Sequence, residues 1–279
     1  MSRMLAYVSP TPLTVAEAAG DPLLADLQSL ATVHSDGWGT AWADATGAIQ
    51  QTGETSPLGE SGNAAELAPE ASRMRLMYLR FASRGSAPSV ANIQPFLREG
   101  VAFQHNGALT PLDGAMVLLG EHPAAGLLGT TDSEVYFAVV RQRAVQIGGA
   151  EWQSTSVLVQ ALRQTIGELR AIYPAACLNA FLLTPEALIV AQSPGSSSVP
   201  LEAFARRGFA PHALPPGHDA SYNTLRWTTA PSGAVLVATS GIDTTGWSHI
   251  TDDTVVVFEH SAQSRLPISA VVGVVPLGA

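Results

Sequence analysis

The chain begins Met1-Ser2-Arg3-Met4-Leu5-Ala6-Tyr7, and Ser2 has the most chemistry open to it. A small second residue permits removal of an initiator methionine. Ser2 would then carry a hydroxyl and a free α-amine together: a nucleophile, and a base with an ordinary pKa of about 7.7–8.0. Taken alone, Ser2 is more simply a tolerated residue on an inert chain end. The other reactive types offer less. Cys177 heads the apolar run Cys177–Leu183 and reads as a buried core thiol. As the single cysteine it excludes an intramolecular disulfide and any Cys-cluster metal site. The seven histidines are scattered without a metal-spaced pair. His34-Ser35-Asp36 holds three triad residue types, but adjacent residues cannot build the relay. The G-x-S-x-G, H-E-x-x-H and G-x-G-x-x-G patterns are missing from the sequence.

Such residues work only if the chain holds them. The apolar stretch Met4–Val8 reads as a short buried strand that would keep Ser2 rigid. Thr14 and Asp21 can each cap a helix carrying Leu23, Leu24, Leu27 and Leu30. Strands are expected around the Gly47 turn, over Met74–Ala82 and at Phe103–Gly107, with a short helix near Ala64–Ser72. The glycines of Asp36-Gly37-Trp38-Gly39 allow close backbone approach. Two long helices are expected over Thr130–Ile147 and Ser154–Tyr173, the second stopped by Pro174. The back half reads as β: a hairpin of Leu178–Thr184 with Leu188–Gln192, then Leu225–Thr229, Ala234–Thr239 and Thr254–Glu259. Residues 84–95 and 193–219 read as loops. Strands in runs and helices in separate layers imply an α+β sandwich rather than a βαβ array. The expected organisation is one domain over residues 1–279 with a tail at 261–279.

Composition narrows the function class. The formal charge is −9, and all 14 basic residues are arginine. Without lysine there is no phosphate-loop lysine, Schiff base or Ser-Lys dyad. An acidic chain without a basic cluster is a poor partner for nucleic acid or anionic membrane. No apolar stretch approaches a membrane span, and Met4–Val8 is too short for a signal-peptide core, so the cytoplasm is the expected location.

Short signatures remain, in order: Ser2, Asp36-Gly37-Trp38-Gly39, Arg80-Phe81-Ala82-Ser83, Asn92-Ile93-Gln94-Pro95-Phe96, His105-Asn106-Gly107 and Thr131-Asp132-Ser133-Glu134. Each is weak by itself. Together they resemble the class II glutamine amidotransferases, a branch of the N-terminal-nucleophile hydrolases. That family opens on an N-terminal Cys, followed by D-G-x-G, R-x-A-T, N-x-[HQ]-P-F, H-N-G and T-D-S-E. The resemblance covers residues 2–134 and extends in a general way over residues 177–260. It implies an αββα four-layer sandwich of two stacked, mainly antiparallel sheets. It implies Ser2 as nucleophile, with Asn106 (side-chain amide) and Gly107 (backbone N–H) as oxyanion donors. Arg80 would grip a substrate α-carboxylate and Asp132 the α-ammonium. Glutamine or a small γ-glutamyl amide is the implied substrate, with no cofactor and no metal. Free-standing members similar to the ergothioneine-pathway hydrolases act on a γ-glutamyl metabolite. Others supply ammonia to a separate synthase, which would then be a partner.

The departure is Ser2 where the family has Cys. Three explanations stand open: a natural Ser nucleophile using its own α-amine, a Cys-to-Ser substitution, or a γ-glutamyl-binding homologue without catalysis. Each segment also has a plainer alternative. Arg80 could be a strand-end salt bridge, Asp132 a neighbour of a helix cap, and Asn106-Gly107 a hairpin turn.

Overall fold

β1, Arg3–Leu13, sends its side chains alternately into two different apolar layers. Met4, Ala6 and Val8 enter one cluster; Leu5 and Tyr7 enter another. This is the period-2 geometry of a strand buried on both faces. The computed structural model describes residues 1–60, 68–83, 85–120, 126–259 and 275–276.

β1 is the central strand of the first sheet, with β2 (Trp38–Ala43), β3 (Ile49–Glu54), β4 (Ser72–Leu79), β9 (Arg226–Thr229), β10 (Val235–Ala238) and β11 (Ser248–His249). Their order is β11-β9-β10-β1-β4-β2-β3. The second sheet contains β5 (Phe96–Arg98), β6 (Val101–Asn106), β7 (Asn179–Leu183), β8 (Ala187–Gln192), β12 (Thr254–Glu259) and β13 (Val275–Pro276). Its order is β13-β12-β8-β7-β6-β5. The described strand pairs are antiparallel throughout.

The inner faces of the sheets meet in one core, where Met4, Met74 and Leu76 pack with Phe181, Leu188, Val190 and Phe258. Outside the first sheet lies α1, Val15–Val33, burying Leu23, Leu27 and Leu30 against Leu5, Tyr7 and Leu79. Outside the second lie α3, Asp132–Gly148, and α4, Thr155–Ile172. They cover Phe103, Leu178, Leu182 and Ile189 with Val140, Leu158, Leu162 and Leu169. Helix, sheet, sheet, helix is the αββα sandwich that the sequence resemblance implies. A one-turn α2 (Asp113–Met116) and α5 (Leu201–Arg206) complete the described α-helices.

Local signals account for the helix starts. Thr14 caps α1 through a reciprocal capping box with Glu17, and Thr131 caps α3 by accepting from the Glu134 N–H at 3.2 Å. Gly20, at φ 77°, kinks α1 just before Pro22. Three details differ from the sequence expectations. Ser72 opens β4 rather than ending a helix, and residues 64–67 of that expected helix lie outside the described residues. The stretch 193–219 carries α5, whose Phe204 packs in an aromatic cluster. Asn106-Gly107 is not a hairpin turn: the chain leaves β6 there, traverses α2, α3 and α4, and only then returns as β7 to pair with it.

Register places the chemistry. Arg3 pairs with Leu79, so one step further Ser2 lies level with Arg80. On the other side of β4, Trp38 pairs with Leu79, and the Arg80 N–H reaches the Gly37 carbonyl at 2.8 Å. Three separate segments therefore end side by side. Gly39 makes this possible, because a Cβ there would fall 2.2 Å from the Gln94 carbonyl oxygen. Only glycine lets the Gln94 loop press against β2.

Candidate functional site

Ser2 is buried, and its Oγ is held from two sides. The Phe81 N–H donates to it at 3.0 Å and the Tyr78 hydroxyl at 2.6 Å. Gln94 Nε2 donates in turn to the Tyr78 oxygen at 2.9 Å, which fixes the direction of the Tyr78 proton toward Ser2. Gln94 Oε1 accepts the His105 N–H at 2.6 Å, tying this chain of bonds to β6. With two donors aimed at its oxygen, Ser2 is left to give its own proton elsewhere, and any charge developing on Oγ is already met. Burial pushes the Tyr78 phenol far above its ordinary pKa, so it stays a proton donor.

The carbonyl of Ser2 is held as firmly. Arg3 Nε donates to it at 2.6 Å and Asn106 Nδ2 at 2.5 Å. Arg3 is buried, bonded to the Tyr222 carbonyl (3.0 Å) and Ser240 Oγ (2.7 Å), with its guanidinium 3.8 Å over the Tyr222 ring. This cation–π contact and the clamp on Ser2 were not anticipated from the sequence.

Ser2, Arg80, Gly107 and Asp132 line one cavity of about 430 Å3, together with Tyr78, Phe81 and the start of α3. Arg80 is buried. Its Nη2 donates to Ser86 Oγ at 2.7 Å and to the Ala87 carbonyl at 3.4 Å; Nη1 lies 3.5 Å from the Asp36 carbonyl. These acceptors are neutral, and among the described residues no carboxylate pairs with Arg80. Asp132 likewise accepts from backbone, the Leu109 N–H at 2.7 Å and the Ser133 N–H at 2.8 Å, with no cation beside it among the described residues. The cavity thus holds one positive and one negative group, each positioned by the backbone and neither neutralised by the other. Such a pair can read a zwitterionic amino-acid end.

Asn106 is fully buried, and its Oδ1 lies 3.8 Å from the Cys177 thiol. One N–H of its amide is committed to the Ser2 carbonyl. Gly107 is demanded by the protein itself: a Cβ would lie 1.9 Å from the Cys177 carbonyl oxygen and 2.4 Å from His105 Nε2. His105 is a pin rather than a base. Its Nδ1 lies 3.0 Å from Ser133 Oγ and its Nε2 3.0 Å from the Cys177 carbonyl. Because a carbonyl can only accept, Nε2 carries the proton; burial lowers the ring's pKa, keeping it neutral. Cys177 is buried as expected, its thiol pushed up to about 12 by burial. Glu134 does more than charge a helix start. It pairs with Arg98 at 2.6 Å and accepts the Leu128 and Gly129 N–H groups, closing the loop before α3.

Asp36 accepts the Ala82 N–H at 2.6 Å and pairs with Arg207 at 2.6 Å, so it braces the Arg80–Ala82 segment without entering the cavity. A larger cavity of about 590 Å3 lies beside α3, but its charges are already matched, Arg98 with Glu134 and Arg141 with Glu99. It holds none of Ser2, Arg80, Gly107 or Asp132. Among the described residues no group of three or more His, Cys, Asp or Glu could hold a metal. No described helix is long and apolar enough to cross a membrane.

Tyr78 and Gln94 are the residues the sequence understates. Replacing Tyr78 by Phe should leave the fold intact but remove one of two donors to Ser2 Oγ. The expected loss is about 10- to 100-fold in turnover of any reaction at Ser2, at the scale of one lost oxyanion-type donor or less, with affinity for a zwitterionic ligand held by Arg80 and Asp132 unchanged. Parallel steady-state rates and calorimetric affinities decide it; equal rates for Phe and Tyr would make the hydroxyl merely structural.

A family model described as "Glutamine amidotransferases class-II" matches residues 1–272. Among solved structures, a glutamine aminotransferase class-II domain protein from Silicibacter pomeroyi superposes with a TM-score of 0.57 at 18% identity, covering 92% of this chain and 94% of that one. The glutamine phosphoribosylpyrophosphate amidotransferase of B. subtilis, complexed with ADP and GMP, gives 0.54 at 15% identity. It is matched over 92% of this chain but 47% of its own. At such identities these likenesses concern the fold. No curated protein sequence matches the chain.

Proposed function

Because the chain belongs to the class II glutamine amidotransferases, we propose that it cleaves the γ-glutamyl amide of glutamine or of a small γ-glutamyl metabolite at Ser2. The observation that carries this reading is the shared cavity: a buried, doubly hydrogen-bonded Ser2 hydroxyl beside an uncompensated Arg80 and Asp132. Arg80 takes the substrate α-carboxylate and Asp132 the α-ammonium, which orients the γ-amide toward Ser2. Once Met1 is removed, the Ser2 α-amine accepts the Oγ proton as Oγ attacks the carbonyl carbon of the γ-carboxamide. Asn106 Nδ2 and the Gly107 N–H receive the oxyanion. The C–N bond then breaks, and the amine leaves with the proton carried by the α-amine. Water, deprotonated by the same amine, hydrolyses the γ-glutamyl ester to glutamate and frees Ser2.

Met1 decides whether this can happen. With Met1 in place, the Ser2 nitrogen is an amide and has no basic lone pair. The Met1 carbonyl accepts the Tyr222 hydroxyl at 2.7 Å, so the unprocessed end is well seated. The second reading follows from that contact: a chain retaining Met1 binds γ-glutamyl ligands without turning them over. Supply of ammonia to a separate synthase uses the same chemistry and differs in needing the partner for turnover.

The test pairs intact mass with glutamate release. Isolated protein lacking Met1 should hydrolyse glutamine or a γ-glutamyl amide without a partner, and protein retaining Met1 should not. Equal release from both would remove the α-amine from the mechanism. Turnover only with a synthase added would favour ammonia supply.

A further inference from the structure

Met1 sits between two cavities. It is bonded to Ser2, which lines the first, and its carbonyl and Sδ contact residues that line the second. That second cavity, about 490 Å3, is lined by Ser196, Ser197, Ser198, Asp219, Tyr222, Asn223 and Asp252 among others. The Met1 carbonyl is bonded to the Tyr222 hydroxyl, and its Sδ lies 4.0 Å from Ser197 Oγ. The side chain packs on the apolar cluster of Phe81, Phe204 and Tyr222. Resting on the amide-cleaving reading above, we propose that the space vacated by Met1 and the cavity behind it form the leaving-group subsite, built for an extended amine with an unbranched apolar stem and a cationic or hydroxyl-bearing end.

The chemistry fixes the side on which the leaving group lies. The departing nitrogen takes its proton from the Ser2 α-amine, so it must come within hydrogen-bond reach of that nitrogen. In the unprocessed chain the atom attached to that nitrogen is the Met1 carbonyl carbon. The leaving group therefore enters the space that Met1 fills, and methionine's unbranched side chain is the template of its shape. Phe81, Phe204 and Tyr222 would flank an apolar stem.

Beyond the stem the lining changes character. No arginine or histidine lines the second cavity, while Asp219 and Asp252 both do. Two N–H and O–H bonds from Ser221 lower the Asp219 pKa, so it is ionised at neutral pH. Asn223 is buried, its Nδ2 donating to the Ser197 carbonyl at 2.8 Å, and its Oδ1 has no partner. An orphaned buried acceptor costs free energy unless a ligand or water donates to it. Hydroxyls, carboxylates and an open acceptor together suit a donor-rich end such as an ammonium. Arg170 is turned onto the carbonyls of Pro174, Ala176 and Ser193, and Arg3, stacked on the Tyr222 ring, is bonded to the Ser2 and Tyr222 carbonyls and to Ser240 Oγ.

Three γ-glutamyl amides of increasing reach test this: glutamine, γ-glutamyl ethylamide and the mono-γ-glutamyl amide of 1,4-diaminobutane. Their calorimetric Kd values would be measured on protein shown by intact mass to lack Met1, on protein retaining it, and on Asp219→Asn/Asp252→Asn, which removes both charges but keeps one acceptor oxygen on each side chain. The diaminobutane amide should bind at least tenfold more tightly than glutamine to the processed protein. That ratio should fall below twofold in the double variant and in protein retaining Met1. Equal affinity for all three amides, or a preference untouched by the double variant, would overturn the subsite. Binding is read separately from product release. A preference without hydrolysis would therefore retain the subsite and reject the amide-cleaving reading instead.

Discussion

Protein carrying Ser2→Ala should release glutamate from γ-glutamyl amides on the order of 10⁶-fold more slowly than the parent or below detection, while Ser2→Cys should be faster than the parent. Both replacements are small enough for Met1 to be removed, so the three proteins differ at one atom. Alanine keeps the α-amine, the oxyanion donors and the Arg80–Asp132 grip, and so isolates the nucleophile; losses of this order follow removal of a serine nucleophile elsewhere. The thiol gains because it ionises near pH 8.5 and is intrinsically more nucleophilic, whereas an alcohol depends wholly on its base. It gives something back. The 2.6 Å approach of the Tyr78 hydroxyl and the 3.0 Å approach of the Phe81 N–H suit oxygen, and sulfur forces both outward. A weakened hydrogen bond costs about 1 kcal/mol, or roughly fivefold, which is less than the gain in thiolate population. If the parent and Ser2→Ala release product at the same rate, Ser2 is not the nucleophile.

The second large effect is on binding. Arg80→Lys should weaken free glutamate by about 10- to 100-fold, the scale of one or two charge-assisted hydrogen bonds. Lysine would keep the charge but lose the fork. The guanidinium is already spread across Ser86 Oγ and the Ala87 and Asp36 carbonyls, and that spread aims it into the cavity. A lysine ammonium cannot span those acceptors and also face a carboxylate with two parallel donors. Calorimetry with glutamate on both proteins, with thermal melts to verify folding, measures this. Unchanged affinity would remove Arg80 from the site.

The parts of the molecule legible beforehand share a cause. Strands whose alternation survives burial, such as Met4–Val8, and helices with a side-chain cap, such as α3 at Thr131, are written locally. The meeting of Ser2, Arg80, Gly107 and Asp132 in one cavity was readable only because their segments fall in a recognisable order; none of the four is distinctive alone. Tyr78 escaped because it sits in β4 among Leu76, Met77 and Leu79, where a tyrosine reads as core. Its hydroxyl becomes chemical only through a sheet register that places Ser2 just past the end of β4. Arg3 escaped for the opposite reason: it adjoins Ser2 in sequence, and nothing local says that its partners are Tyr222 and Ser240, over two hundred residues away. The helix α5 is six residues long in a stretch rich in Ser, Pro and Gly, too short for a periodic signal. The need for glycine at 107 is equally hidden, because the crowding comes from Cys177, seventy residues on, and from the His105 ring.

The seating of Met1 also bears on how the end of the chain is processed. Its amine is buried in the folded chain, and burial, then the Arg3 and Arg207 charges, brings its pKa down to about 4. An aminopeptidase must grasp that amine and the peptide bond behind it, and in the folded chain Met1 is half-buried, Ser2 is buried and the Met1 carbonyl is held by the Tyr222 hydroxyl. Trimming is therefore easier on the nascent chain than on the folded one. Chains that fold first keep Met1 longer, so two populations with one sequence and one fold can differ in chemistry.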